Sequence, residues 1–197
     1  GGVRLRNGEV IEAESVIVNA DSAAVAAGLF GRNVATTVSQ LRSDQRSLSA
    51  MTWVMNAKTS GFPLVRHNVF FSTDYQAEFD DIFGRARLPR EPTVYVCAQD
   101  RSDDPAEFAG GAERLLVLVN APATGDTDRY TGAEVAECEE RTFALLKRLG
   151  LDVDRASADT VLTTPAGFHD LFPATGGALY GAASHGWMAS FSRPGGK

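Results

Sequence analysis

Two cysteines and three histidines in 197 residues leave little material for staples or metal centres. Cys97 and Cys138 show neither CxxC spacing nor a zinc-partner pattern, so both read as small buried hydrophobes in a reducing compartment. His67, His169 and His185 are too dispersed to provide the close ligand pair of a metal site, and no metal is expected. No run approaches the ~18 apolar residues of a membrane span. None of the nineteen glycines has another two positions away, which excludes the G-x-G-x-x-G phosphate loop. The formal net charge of −6 comes without a basic cluster, so nucleic acid is not an expected partner. The opening Gly-Gly-Val-Arg-Leu-Arg-Asn-Gly has no initiator Met and no basic-then-apolar leader, which suggests a chain cut from something larger.

What is present suits an ordinary globular α+β chain. Hydrophobic residues make up 44% and charged residues 22%, and a chain of this length buries roughly 70% of its unfolded surface without staples. Val3 to Leu5 and Val10 to Ile11 flank Asn7-Gly8, predicting a hairpin over residues 3 to 13 closed by a type I′ turn. Ser15 to Val18 reads as a short buried strand, ending in Asn19-Ala20-Asp21, where a polar side chain caps an alanine-rich helix running to about Phe30. Residues 31 to 47 read as a polar surface segment with one turn of helix.

Leu48 to Ala57 alternates with the period of a strand, placing Met51, Trp53 and Met55 on one face. A second strand is expected from His67 to Ser72. Thr73 and Gln76 then resemble a capping box for an amphipathic helix over about 74 to 83, with Tyr75, Phe79, Ile82 and Phe83 on one face. Thr93 to Ala98 and Leu115 to Val119 are continuous apolar runs, the pattern of central strands. Between them lies an acidic loop, Asp100 to Glu113. Thr131 and Glu134 form a capping box for the securest helix, which carries Lys147 and Arg148 in its last turn and Gly150 just beyond. A strand at Thr160 to Thr164, a Pro165-initiated helical turn through Phe172 and a glycine-rich tail from Gly176 follow.

The chemical candidates are few. Ser184 stands in a sequence one residue short of a nucleophile elbow, but the glycine-rich stretch before it is not the strand such an elbow needs, so it reads as a loop serine. Asp100, Asp103 and Asp104 around Arg101 lack the glycine and terminal glutamate of a calcium loop and read as a solvated turn. Bulky residues are dense from 48 to 95, where Met51, Trp53, Met55, Phe71, Tyr75 and Tyr95 suit either a core or the lining of a channel for a long apolar ligand. Core packing explains them without a ligand.

Several phrases, in this order, resemble the phytoene-desaturase-like flavoproteins that desaturate carotenoids. They are the strand ending in Asn19-Ala20-Asp21, Arg66-His67-Asn68, Phe71-Ser72-Thr73-Asp74-Tyr75, Pro92 to Val96, Thr164-Pro165 with Phe168, and Gly177-Ala-Leu-Tyr-Gly181 with Ala189 to Pro194. The wording around Leu48 to Asn56 and Ser184 to Met188 is most similar to the bacterial branch acting on hydroxy- or methoxy-carotenoids. The chain departs from phytoene desaturases at Arg66-His67-Asn68, where they tend to show His-His-Thr, and at His185, where they tend to show Gln.

The resemblance implies an α+β substrate domain with a mixed, largely antiparallel sheet covered by helices, over residues 31 to 194. Residues 1 to 30 would be a remnant of a Rossmann-like FAD domain. It further implies FAD as cofactor of the full-length protein, with Asn19, Ala20 and Asp21 near it, and a polyene substrate that loses hydrogen as hydride passes to the flavin. Trp53, Met55, His67, Phe71, Tyr75, Tyr180 and His185 would line the substrate. Catalytic residues are not identifiable. The isolated chain is expected to be inactive and free of FAD, while the full-length protein would be cytoplasmic and peripheral to the inner face of a membrane. A competing reading is a free-standing α+β module that binds a lipid-like ligand or a protein partner.

Overall fold

A computed structural model describes residues 1–104, 108, 110–156 and 158–183. The opening hairpin pairs β1 (Gly2–Arg4) with β2 (Val10–Glu12) as a small separate sheet with every strand residue exposed. Its turn differs from the expected type I′. Gly8 N–H donates to Leu5 carbonyl at 3.0 Å and Leu5 N–H to Glu9 carbonyl at 2.8 Å, giving a three-residue loop with Gly8 at φ +90°. Asn7 keeps negative φ because the left-handed position falls to the glycine after it.

The buried strand expected at Ser15 to Val18 does not form. A strand needs a neighbour for its N–H and C=O groups, and these residues have no strand assignment, with Ile17 94% exposed. The helix that follows, α1 (Ser22–Ala26), is shorter than expected; the Asp21 carboxylate caps it through Ala23 N–H at 2.8 Å. Residues 31 to 47 hold two short turns, α2 (Arg32–Ala35) and a 3-10 turn at Ser43–Gln45.

The body of the molecule is a six-stranded sheet built on β3 (Ser49–Gly61). On one side β3 pairs with β6 (Ala112–Ala121), which pairs with β5 (Val94–Ala98) and then β4 (His67–Phe70). On its other side β3 carries β8 (Asp159–Thr163) along Thr52 to Asn56, and β7 (Leu151–Val153) along Thr59 to Gly61. Every one of these pairings is antiparallel.

Alternation gives the sheet two faces. Met51, Trp53, Met55, Val94, Val96, Leu115, Val117 and Val119 turn to one side and are all buried. Against them packs α4 (Gly132–Arg148), with Cys138, Thr142, Phe143, Leu145 and Leu146 inward. Its Thr131–Glu134 capping box forms, and Gly150 closes it at φ +95°. Gly61 and Gly150 meet so closely that a Cβ on Gly61 would stand 2.2 Å from the Gly150 carbonyl oxygen, which is how β3 bends past the end of α4 toward β7.

The expected acidic loop is not simply solvated. The Arg101 side chain turns inward onto fully buried Glu113 through two bonds of 2.7 Å, and it also donates to Leu64 carbonyl and Thr59 Oγ1. Asp100 is taken by Arg114.

The helix expected over 74 to 83 is assembled differently from its sequence pattern. Asp74, not Thr73, caps α3 (Tyr75–Phe79) by accepting from Ala77 N–H at 3.0 Å, while the Thr73 hydroxyl donates to Glu91. After Phe79 the chain widens into a π turn over Asp80–Gly84. That shifts the phase, so Ile82 turns in while Tyr75 and Phe83 stay 49% and 42% exposed. Buried on the inner side instead are two carboxylates, Glu78 and Asp81. Finally α5 (Pro165–Leu171), capped by Thr164, lies against β3 and β8.

Candidate functional site

The second face of the sheet is where apolar side chains remain accessible. Cross-strand partners share a face, so the register aligns two rows across five strands. One row is Val69, Tyr95, Leu118, Thr52 and Thr163; the other is His67, Cys97, Leu116, Val54 and Val161. Val69, Val54 and Val161 are 50%, 48% and 65% exposed, and Tyr95, Cys97, Leu116 and Leu118 are half-buried. Four strand spacings of ~4.8 Å make this band about 19 Å long.

The ends of the band are framed by polar anchoring. Buried Glu78 of α3 accepts from Thr93 N–H at 2.9 Å and Asn120 Nδ2 at 3.0 Å, fixing α3 over the ends of β5 and β6. The segment after α5 is fixed by Tyr180 N–H donating to Ser47 Oγ at 2.9 Å and Leu179 N–H to Leu48 carbonyl. Tyr180 itself is 66% exposed, close enough to Tyr95 to interact electrostatically. At the β4 edge, buried Asn68 donates to the carbonyls of Val65 and Val96 and accepts from Val65 N–H, which clamps the strand and leaves neighbouring His67 on the opposite, open face.

Beyond that edge an aromatic ladder continues from Phe71. Ring centroids are 5.9 Å from Phe71 to Tyr75, 5.0 Å from Tyr75 to Phe79 and 6.0 Å from Phe79 to Phe83. Behind the ladder, Asp81 is held by Arg85, Arg87 and Arg90 at 2.7 to 3.1 Å. Burial alone would raise its pKa, but the guanidiniums of Arg87 and Arg90 outweigh it and hold the carboxyl well below the usual range. A depressed folded pKa stabilises above the unfolded value of ~4 and is lost as pH falls further. The stability gap between the protein and its Asp81→Asn variant is therefore expected to be full at pH 5 and to narrow toward pH 2, read from urea midpoints.

The residues singled out in the sequence fall into different places. His67 and Tyr180 lie at the open face, and Phe71 and Tyr75 form the ladder beside it. Trp53 and Met55 lie on the other side of the sheet, 1% and 4% exposed. Trp53 Nε1 donates to Glu139 Oε2 at 3.0 Å and its ring meets Phe143 edge-on, so both residues belong to the α4 core and present no surface to a ligand on the open face. His185 and Ser184 lie outside the described residues. Val54, Leu116, Leu118 and Val161 escaped selection, while Tyr95 was singled out only as a residue that suits a core or a channel lining. Part of their signal was in β5 and β6, whose runs are apolar on both faces although α4 packs on only one of them.

Asn19 and Ala20 are exposed, and the Asp21 carboxylate is engaged on α1. With no strand before them and no glycine loop in the chain, these residues do not by themselves make a dinucleotide cradle. Among the described residues no group of three His, Cys, Asp or Glu is placed to hold a metal, and no helix is long and apolar enough to cross a membrane. Burial pushes the Cys138 thiol up to about 11, so it serves as core.

No protein-family model matches the chain. Individual relatives do. The chain is 55% identical over 192 residues to a hydroxyneurosporene desaturase of Rubrivivax gelatinosus, covering 98% of this chain and 36% of that protein. It is 39% identical to the hydroxyneurosporene desaturase of Cereibacter sphaeroides, again over 98% of this chain and 38% of the relative. Over nearly its whole length, the chain is similar in sequence to carotenoid desaturases. A 1-hydroxycarotenoid 3,4-desaturase of a Flavobacterium is 33% identical over 76% of the chain and 30% of its own length. The matched stretch spans 30% to 38% of the length of these carotenoid desaturases. Their shared stretch includes the strands that build both faces of the sheet.

Proposed function

We propose that this chain is the substrate-binding portion of a carotenoid desaturase, with the open sheet face as the floor on which a long hydroxylated polyene lies. The observation that carries this reading is the band of exposed and half-buried apolar side chains crossing five strands, on a face that α4 leaves uncovered. Such a floor binds by excluding water from an apolar chain, at about 25 cal/mol per Å² buried. Its work is to hold and orient one carbon–carbon bond rather than to exchange protons. Residues 31 to 194 form the substrate domain in this reading, and the exposed apolar run from Val16 to Val18 belongs to a cofactor domain completed by other parts of the full-length protein. A flavin bound there would take up the hydrogen removed from the substrate. No step of that chemistry is assigned to residues of this chain, which alone is inactive. Peripheral contact with the cytoplasmic side of a membrane, where so apolar a substrate dissolves, belongs to the same reading.

The test is conversion of a hydroxylated acyclic carotenoid by the full-length protein and its Leu116→Asp variant. A carboxylate in the middle of the floor is expected to lower kcat/KM by at least about tenfold with the circular dichroism spectrum unchanged. Equal conversion by the two proteins would remove the open face from the substrate path.

A further inference from the structure

The apolar band carries one built polar feature. His67 Nδ1 and Tyr95 Oη are 2.7 Å apart, with the rings nearly parallel at 16° and centroids 6.1 Å apart. They stand diagonally across β4 and β5, His67 in one row of the band and Tyr95 in the other. Their surroundings on the face are Val69, Cys97, Leu116 and Leu118.

We propose that the His67–Tyr95 pair recognises the hydroxyl group of the polyene and so fixes the register in which the substrate lies on the sheet. This rests on the reading of the open face as a substrate floor and adds to it the feature that distinguishes one substrate from another. Apolar contact is non-directional, so a floor of Val, Leu and Cys lets a uniform polyene slide along its own length. One hydrogen-bonding point stops the sliding. In the His67–Tyr95 bond either partner can be the donor. If Tyr95 donates to Nδ1, its oxygen keeps lone pairs for a third group; if His67 donates, the phenol proton is free. An alcohol, being donor and acceptor at once, completes either arrangement. A ligand lacking the hydroxyl would cover this polar pair without satisfying it, which penalises the wrong substrate. Burial, and after it a hydrogen bond with Cys97, raises the Tyr95 pKa above its ordinary value, so the phenol stays neutral and keeps its proton.

The geometry on each side supports fixed placement. Asn68 holds β4 by three bonds to Val65 and Val96, so His67 is not on a loose edge. Tyr95 is in a strand paired on both sides.

The experiment compares kcat/KM of the full-length protein for a hydroxylated acyclic polyene and for the same polyene without the hydroxyl, in wild type, Tyr95→Phe and His67→Leu. The expected result is a roughly tenfold fall in the ratio of the two values in Tyr95→Phe, produced by loss on the hydroxylated substrate alone, with desaturation of that substrate spread over more than one bond. His67→Leu, at an exposed position, should repeat the effect without relying on the stability of a half-buried site. Equal losses on both substrates, or an unchanged ratio in both variants, would overturn the proposal while leaving the floor in place. A wild type that accepts neither polyene would overturn the floor itself.

Discussion

Trp53→Ala is expected to lower the unfolding free energy by about 3–5 kcal/mol, whereas Val54→Asp, the next residue, should change it by no more than about 1 kcal/mol. The difference follows from which way each side chain points. Trp53 is buried against Phe143, on whose ring Arg155 rests at 4.6 Å, and its indole N–H is satisfied by Glu139. Removing it leaves a cavity between sheet and helix and takes one of two donors from the Glu139 carboxylate, leaving Arg155 as the other. Val54 is 48% exposed, and a carboxylate there reaches water. In binding the order reverses. Val54→Asp puts a charge in the floor and is expected to weaken carotenoid binding at least about tenfold, because an ion covered by a polyene has no partner. Urea unfolding and pigment titration of the same variants decide the matter. Unaltered pigment affinity in Val54→Asp, or small destabilisation in Trp53→Ala, would mean that the two faces have been assigned the wrong way round.

The second large effect lies at Arg101 and Glu113. Glu113→Gln is expected to cost about 3–5 kcal/mol, since it leaves a guanidinium with a 9% exposed side chain facing a neutral amide. Four groups converge there. Arg101 bonds both Glu113 oxygens, the Leu64 carbonyl and Thr59 Oγ1; Thr59 in turn donates to Glu113 at 2.5 Å; and Phe108 lies under the guanidinium at 4.2 Å. The cluster ties β3 and β6 to the connection that delivers β4. A paired replacement, Arg101→Met with Glu113→Leu, is expected to recover most of the loss, because no charge is then left buried. Differential scanning calorimetry of the single and double variants reads this directly. Should the single variant melt within a degree of the wild type, the cluster is not desolvated as its geometry requires.

Where a local rule sufficed, the sequence was readable. The Thr131–Glu134 box, the Lys147 and Arg148 terminus and Gly150 each specify α4 without help from distant residues, and the period of two from Met51 to Met55 needs only one covered face. The resemblance to carotenoid desaturases was legible as well, from phrases distributed along the chain. The misreadings were non-local. Ser15 to Val18 has strand composition but no neighbouring strand. Arg101 and Glu113 looked like parts of a wet loop because their pairing across twelve positions has no periodic signature. At the candidate site, His67 and Tyr180 stood out by type. Val54, Leu116 and Leu118 could not, since an apolar side chain on an open face and one in a core look alike until the register of the sheet is known.

That register has a consequence for biosynthesis. Strand β3 leaves the ribosome before its partners, and its ladder waits on one side for residues 112 to 121 and on the other for 151 to 163. Throughout that interval a thirteen-residue ribbon containing Met51, Trp53 and Met55 has both hydrogen-bonding edges unmated. Such nascent edges invite association between neighbouring polypeptides, so the yield of this fold depends on how quickly translation reaches β8, or on a holdase that shields β3 meanwhile.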